Sequence, residues 1–183
     1  MIGCASSYVK SNQSPPLTEV PDDIPANVSA VTLNKNEISQ LDGRLDHISD
    51  LRSIYLTNNK FTTFPNLINA GSELETIDLK QNSISQIPTH YLQPMKNLKK
   101  LLIGGNPLQL FPDVTPVGGT LKELGLRNAG LTAIPNHLIE PLTQLTMLRL
   151  TSNQLITLSD ISFKVMPSLK NLILMNNPIT QLS

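Results

Sequence analysis

The sequence predicts an α/β solenoid, a chain wound into like coils whose short strands stack in parallel into one curved sheet. Three observations carry that expectation. Large apolar residues recur with a period close to 23, an asparagine follows them at a fixed offset, and the stretches between are broken by proline, glycine and serine. Laid over one another, the segments beginning at Val28, Leu51, Leu74, Leu98, Leu121, Leu145 and Leu169 start 23, 23, 24, 23, 24 and 24 residues apart. A fixed period of roughly 20–50 residues marks a chain that buries its core by stacking like units.

Each unit reads large-apolar, two variable, large-apolar, one variable, large-apolar, two variable, asparagine. Apolar spacings of three and then two fit neither a helical face nor an amphipathic strand. In "LRSIYLTNN" (Leu51 to Asn59) the middle is a short strand: Ile54 and Leu56 point inward and Tyr55 points outward, because side chains alternate. The chain must then bend, which leaves backbone N–H and C=O groups inside the coil without strand partners. The column Asn36, Asn59, Asn82, Asn106, Asn153 and Asn177 supplies carboxamides with both donors and an acceptor for them. Only Ala129 breaks the column, and a weak point is expected there, since an unsatisfied buried polar group costs about 1–3 kcal/mol.

The return segments, such as "PNLINAGSE", "PDVTPVGGT" and "SDISFKVMPS", are too interrupted for long helices and predict 3₁₀ or irregular turns on the convex side. Seven strands about 4.8 Å apart make a sheet on the order of 30 Å wide with a solvent-facing concave surface.

The units "LETIDLKQN", "LKKLLIGGN", "LTMLRLTSN" and "LKNLILMNN" resemble the leucine-rich repeat family, in particular its 23–24 residue class common in extracellular proteins. The resemblance covers residues 28–183, as six full repeats and a partial seventh, and implies a horseshoe with a parallel concave β-sheet. Residues 15–27, "PPLTEVPDDIPAN", are similar to the amino-terminal cap of secreted and cell-surface members. That cap usually carries paired cysteines, whereas here Cys4 is the only one, so the cap is degenerate and cysteine-poor. Residues 1–14, rich in Ser, Asn and Gln, read as a flexible tail. At the other end Leu172, Leu174, Ile179 and Leu182 have no polar cap after them and are expected to be partly exposed, which favours edge-to-edge association or further repeats.

Composition bounds the function. The 183 residues are 39% hydrophobic and carry 14 basic against 14 acidic residues, so no bulk field draws nucleic acid or acidic lipid, and recognition must be local. No apolar run reaches the roughly 20 residues of a membrane span, and the first residues lack the layout of a signal peptide. A lone cysteine excludes an internal disulfide and a cysteine-based zinc site. His47, His90 and His137 fall in return segments, the latter two about two coils apart, too far to share a metal, and read as surface residues. No phosphate loop, nucleophile elbow or supported acid pair occurs, so neither a catalytic residue nor a cofactor is expected, and the chain reads as a non-enzyme. Asn27-Val28-Ser29 fits the N-glycosylation acceptor at an exposed turn.

What remains is the concave surface. Its central outward column is Thr32, Tyr55, Asp78, Leu102, Gly125, Arg149 and Ile173, flanked after the strand by Lys80, Gly104, Arg127 and Met175 and before it by Lys100, Glu123 and Met147. Gly104, Gly105 and Gly125 remove side chains and predict a shallow dent edged by Leu102, Lys80, Lys100, Arg127 and Arg149; Met147, Ile173 and Met175 add apolar area. Tyr55, Asp78, Lys80, Lys100, Leu102, Arg127, Met147, Arg149, Ile173 and Met175 are thus the candidate contacts for a protein ligand, with a basic edge suited to acidic or sulfated groups. The cap and repeat class imply a recognition module of a secreted or cell-surface receptor or matrix protein. The missing signal and paired cysteines favour the alternative, an intracellular scaffold or regulator of a signalling enzyme.

Overall fold

A computed structural model describes residues 6–158 and 165–181; Cys4 and Leu182 lie outside them. Its strands are β1 (Ser6–Val9), β2 (Val28–Thr32), β3 (Ser53–Tyr55), β4 (Thr76–Asp78), β5 (Lys100–Leu102), β6 (Glu123–Gly125), β7 (Met147–Arg149) and β8 (Asn171–Ile173). They form one sheet in chain order, every neighbour parallel. A coil of 23 or 24 residues returns each strand to the same register, so Ile54 lies beside Ile77, Leu101 beside Leu124 and Leu148 beside Leu172. This is the expected α/β solenoid, a leucine-rich repeat horseshoe with a parallel sheet.

The repeat places its apolar residues in a continuous core. Val31, Ile54, Ile77, Leu101 and Leu124 are fully buried mid-strand, and Leu33, Leu56, Leu79, Ile103, Leu126 and Leu150 are buried just after it. Phe61, Phe64 and Phe111 fill the far side. In the last coil the corresponding Leu172 and Leu174 are only half-buried, as is Ile179.

The asparagine column does what its chemistry predicts. Asn59 Nδ2 donates to Leu33 O of the preceding coil (3.0 Å) and Leu56 O of its own (3.1 Å), while its Oδ1 accepts from Ile38 N. Asn82, Asn106, Asn153 and Asn177 repeat the pattern. Most bend carbonyls therefore receive two carboxamide bonds, one from the asparagine of their own coil and one from that of the next. The residue before each asparagine, namely Lys35, Asn58, Gln81, Gly105, Ser152 and Asn176, takes positive φ, as does Asn128 before Ala129. For the non-glycine residues that backbone costs about 1–2 kcal/mol, which the ladder offsets.

Ala129 is not the weak point it was expected to be. The two carbonyls an asparagine there would serve keep one donor each, Ile103 O from Asn106 and Leu126 O from Asn153, and Leu108 N turns back to Asn106 O (2.9 Å). The ladder thins at this coil without leaving those groups unpaired.

The return segments are short, but not all 3₁₀ or irregular. Thr115–Val117 is a 3₁₀ turn, while α1 (Thr89–Leu92) and α2 (Asn136–Ile139) are single α-helical turns. Pro88 and Pro135 stand immediately before them, where a missing N–H costs nothing.

The amino terminus differs most from expectation. Part of the segment read as a flexible tail is β1, and residues 6–17 supply the strand and bend of one further coil, which returns at β2. Lys10 N and Asn12 N donate to Thr32 O and Asn34 O, and Asn36 Nδ2 reaches Lys10 O (2.9 Å) as Asn59 reaches Leu33 O. Leu17 N closes the pattern on Asn36 Oδ1. The apolar motif is absent here, and the polar side chains of β1 resist pairing with other chains. Side-chain bonds hold β1 instead: Tyr8 Oη and Lys10 Nζ both donate to Asp23. Those bonds lower the Asp23 pKa. Their contribution is complete above the ordinary aspartate value of about 3.9 and is lost as pH falls through the lower folded one. Asp23→Asn is expected to speed hydrogen exchange at the Lys10 and Asn12 amides at neutral pH, leaving Leu101 unchanged; unaltered exchange at Lys10 refutes the latch.

Candidate functional site

Each strand of three residues turns its middle side chain into the core and its outer two toward the open face. The register then fixes the columns. Tyr55, Asp78, Leu102, Gly125, Arg149 and Ile173 lie side by side, as do Ser53, Thr76, Lys100, Glu123, Met147 and Asn171. All ten candidate contacts from Tyr55 to Met175 lie on these strands or just after them.

Their environments differ. Met175 is 67% exposed, and Tyr55, Leu102, Met147 and Ile173 are half-buried. Asp78 is only 7% exposed: its Oδ1 accepts from the Thr57 hydroxyl (2.9 Å) and Lys80 N (3.1 Å), and its Oδ2 pairs with Lys80 Nζ (3.2 Å). It is a strut of the sheet more than a contact group.

The expected basic edge is mostly neutralised. Glu123 holds Lys100 (2.8 Å) on one oxygen and Arg149 (2.9 Å) on the other. Burial alone would raise the Glu123 pKa, but the two cations outweigh it and lower it. Glu75 is lowered too, chiefly by its hydrogen bond from Lys99. Among the described residues, Arg127 alone of the four candidate cations has no acidic partner. The sequence marks Glu123 only as a flanking residue; the register sets it directly beside Lys100, while the contact with Arg149, whose own register partner is Gly125, is a diagonal reach that the period does not encode.

The dent exists, with altered walls. A recess of about 360 Å³ is lined by Lys80, Leu102, Gly104, Glu123, Gly125, Arg127, Arg149, Thr151 and Ile173. Leu102 leans into the space that Gly125 vacates, where a Cβ would stand 2.9 Å from its Cδ2. Gly105 sits beyond the strand with φ +71°, under the Gln81 carboxamide, and takes no part in this recess. Thr151 is a lining residue that the candidate set lacked. Asn27 is exposed at the turn into β2, its carbonyl accepting from Ser6 Oγ (2.9 Å). His47 and His90 are exposed, the former bonded to Ile24 O and the latter stacked edge-on against Tyr91. Among the described residues no group of three or more His, Cys, Asp or Glu is placed to hold a metal, and no helix is long and apolar enough to cross a membrane.

A family model described as "Leucine rich repeat" matches residues 119–179. A search of curated proteins gives no match. Among solved structures, a leucine-rich repeat protein of Leptospira interrogans is 30% identical with a TM-score of 0.78 over 88% of this chain. TLR13, solved in complex with ssRNA13, is 23% identical with a TM-score of 0.75 over 85% of this chain. The functional domain of InlJ from Listeria monocytogenes, which includes a cysteine ladder, is 21% identical with a TM-score of 0.68 over 86%. The last two show the shared fold. This chain spans 41%, 23% and 32% of those three chains respectively. With the repeated motif, the parallel coil and its carboxamide ladder, these matches make the chain a member of the leucine-rich repeat family.

Proposed function

We propose that the chain is a non-catalytic recognition module that binds a protein partner on the concave face of its sheet, as part of a secreted or cell-surface receptor or matrix protein. The observation that carries this reading is the recess between Leu102 and Ile173, an apolar floor rimmed by Arg127, Arg149 and Lys80. Apolar area at the centre with arginine at its margin is the arrangement in which a few residues supply most binding energy. The paired state of Lys80, Lys100 and Arg149 argues against a phosphate or sulfate chain, whose binding rests on several free cations. The RNA in the TLR13 complex belongs to that protein.

A photo-reactive residue tests the face. Placed at Tyr55 or Met147 in the chain in its native cells, it is expected to give a discrete covalent adduct, while the same residue at Ile68, in the return segment, gives none. An adduct from Ile68 alone overturns the assignment.

The intracellular alternative has one observation in its favour: the first coil is closed by Tyr8–Asp23, Lys10–Asp23 and Arg44–Glu19 contacts, which need no oxidising compartment. Secretion through an added leader, followed by glycosidase digestion, separates the two. A glycan on exposed Asn27 is expected for the extracellular protein, and no mobility change at all favours the cytoplasm.

A further inference from the structure

We propose that the group the partner seats in this recess is a carboxylate on an aliphatic residue, and that Arg127 is its anchor. The inference rests on the concave-face reading and specifies its chemistry. Around the recess each other cation already has its acid: Lys80 with Asp78, and Lys100 and Arg149 with the two oxygens of Glu123. Arg127 alone lacks one among the described residues, and the neighbouring strands explain why. Its flanks in the adjoining coils are Gly104 and Thr151, and the column beside it carries Leu102 and Arg149 in those coils and Gly125 in its own. Among the described residues no carboxylate stands where the others found theirs.

The space around Arg127 is shaped to admit one. It lines both the recess with Leu102 and Ile173 and a second hollow of about 460 Å³ with Lys80, Gln81 and Gly105. Gly104 and Gly125 add no side chain beside Arg127, and Leu102, lying over Gly125, supplies the apolar floor next to it. A guanidinium fork binds a carboxylate through two parallel hydrogen bonds, and exclusion of water by Leu102 and Ile173 strengthens them. The ligand is then a carboxylate with one or two methyl-bearing side chains beside it, supplied by a chain terminus or by Asp or Glu.

Methyl NMR of the 183-residue chain tests this with three peptide probes: acetyl-Leu-Leu with a free terminal carboxylate, the same peptide amidated, and acetyl-Leu-Glu-Leu-amide. Either carboxylate probe is expected to shift the Leu102 and Ile173 methyls, the amidated dipeptide at least tenfold more weakly, and which of the two works identifies the source. Arg127→Gln is expected to abolish the difference and Arg127→Lys to fall between, with the remaining methyl spectrum unchanged. Equal shifts from the amidated dipeptide, or undiminished binding by Arg127→Gln, overturn the carboxylate assignment while the recess stands. No shift of these methyls with any probe overturns the recess together with it.

Discussion

Asn153→Ala is expected to destabilise the chain by about 3–5 kcal/mol, and Asn82→Ala by only about 1–3 kcal/mol, although both remove a fully repeated ladder residue. The difference comes from Ala129. Asn82 shares its carbonyls with its neighbours: Leu56 O keeps Asn59 and Leu79 O keeps Asn106, so its loss orphans chiefly Phe61 N. Asn153 has no partner at the Ala129 position. It is the sole carboxamide donor to Leu126 O, and its Oδ1 accepts from both Ala129 N and Leu131 N. Three buried groups lose their bond at once. Urea unfolding of the two variants under identical conditions checks the order, and equal losses contradict a ladder in which adjoining coils share each carbonyl.

The second large effect follows the solenoid's axis. Leu124→Ala is expected to cost about 2–5 kcal/mol, as large-to-small changes do in a packed core, and Leu172→Ala less than half of that. Leu124 is fully buried with Leu101 on one side and Leu148 on the other, whereas Leu172 is half-buried with Leu148 on one side. A coil touches only its neighbours, so burial in mid-array counts twice. Unfolding by denaturant, followed by circular dichroism, measures both; a larger loss at Leu172 contradicts the stacking.

The core was legible because one rule, leucine at fixed offsets and asparagine after, is written into each coil. Its exceptions were harder to read. Residues 6–17 obey the geometry of a coil without its apolar signature, since Ser6, Tyr8 and Lys10 edge the sheet and are held by hydrogen bonds, by Asp23 and by partial packing of Tyr8 on the core. At Ala129 the sequence shows a missing carboxamide but not that Asn106 and Asn153 cover its carbonyls from either side. The outward columns followed directly from the period. Charge pairing did not, because whether Lys100 and Arg149 lie free depends on one glutamate between them reaching both. The lean of Leu102 over Gly125 is a rotamer choice that no spacing encodes.

The carboxamide ladder positions every strand and therefore every residue of the concave face, and its protons report on it directly. Side-chain amide exchange measured by NMR is expected to be slow at Asn82, Asn106 and Asn153, whose Nδ2 groups are bonded to buried carbonyls, and fast at exposed Asn58 and Asn128. Exchange as fast at Asn82 and Asn153 as at Asn58 would contradict the coil and, with it, the face built on it.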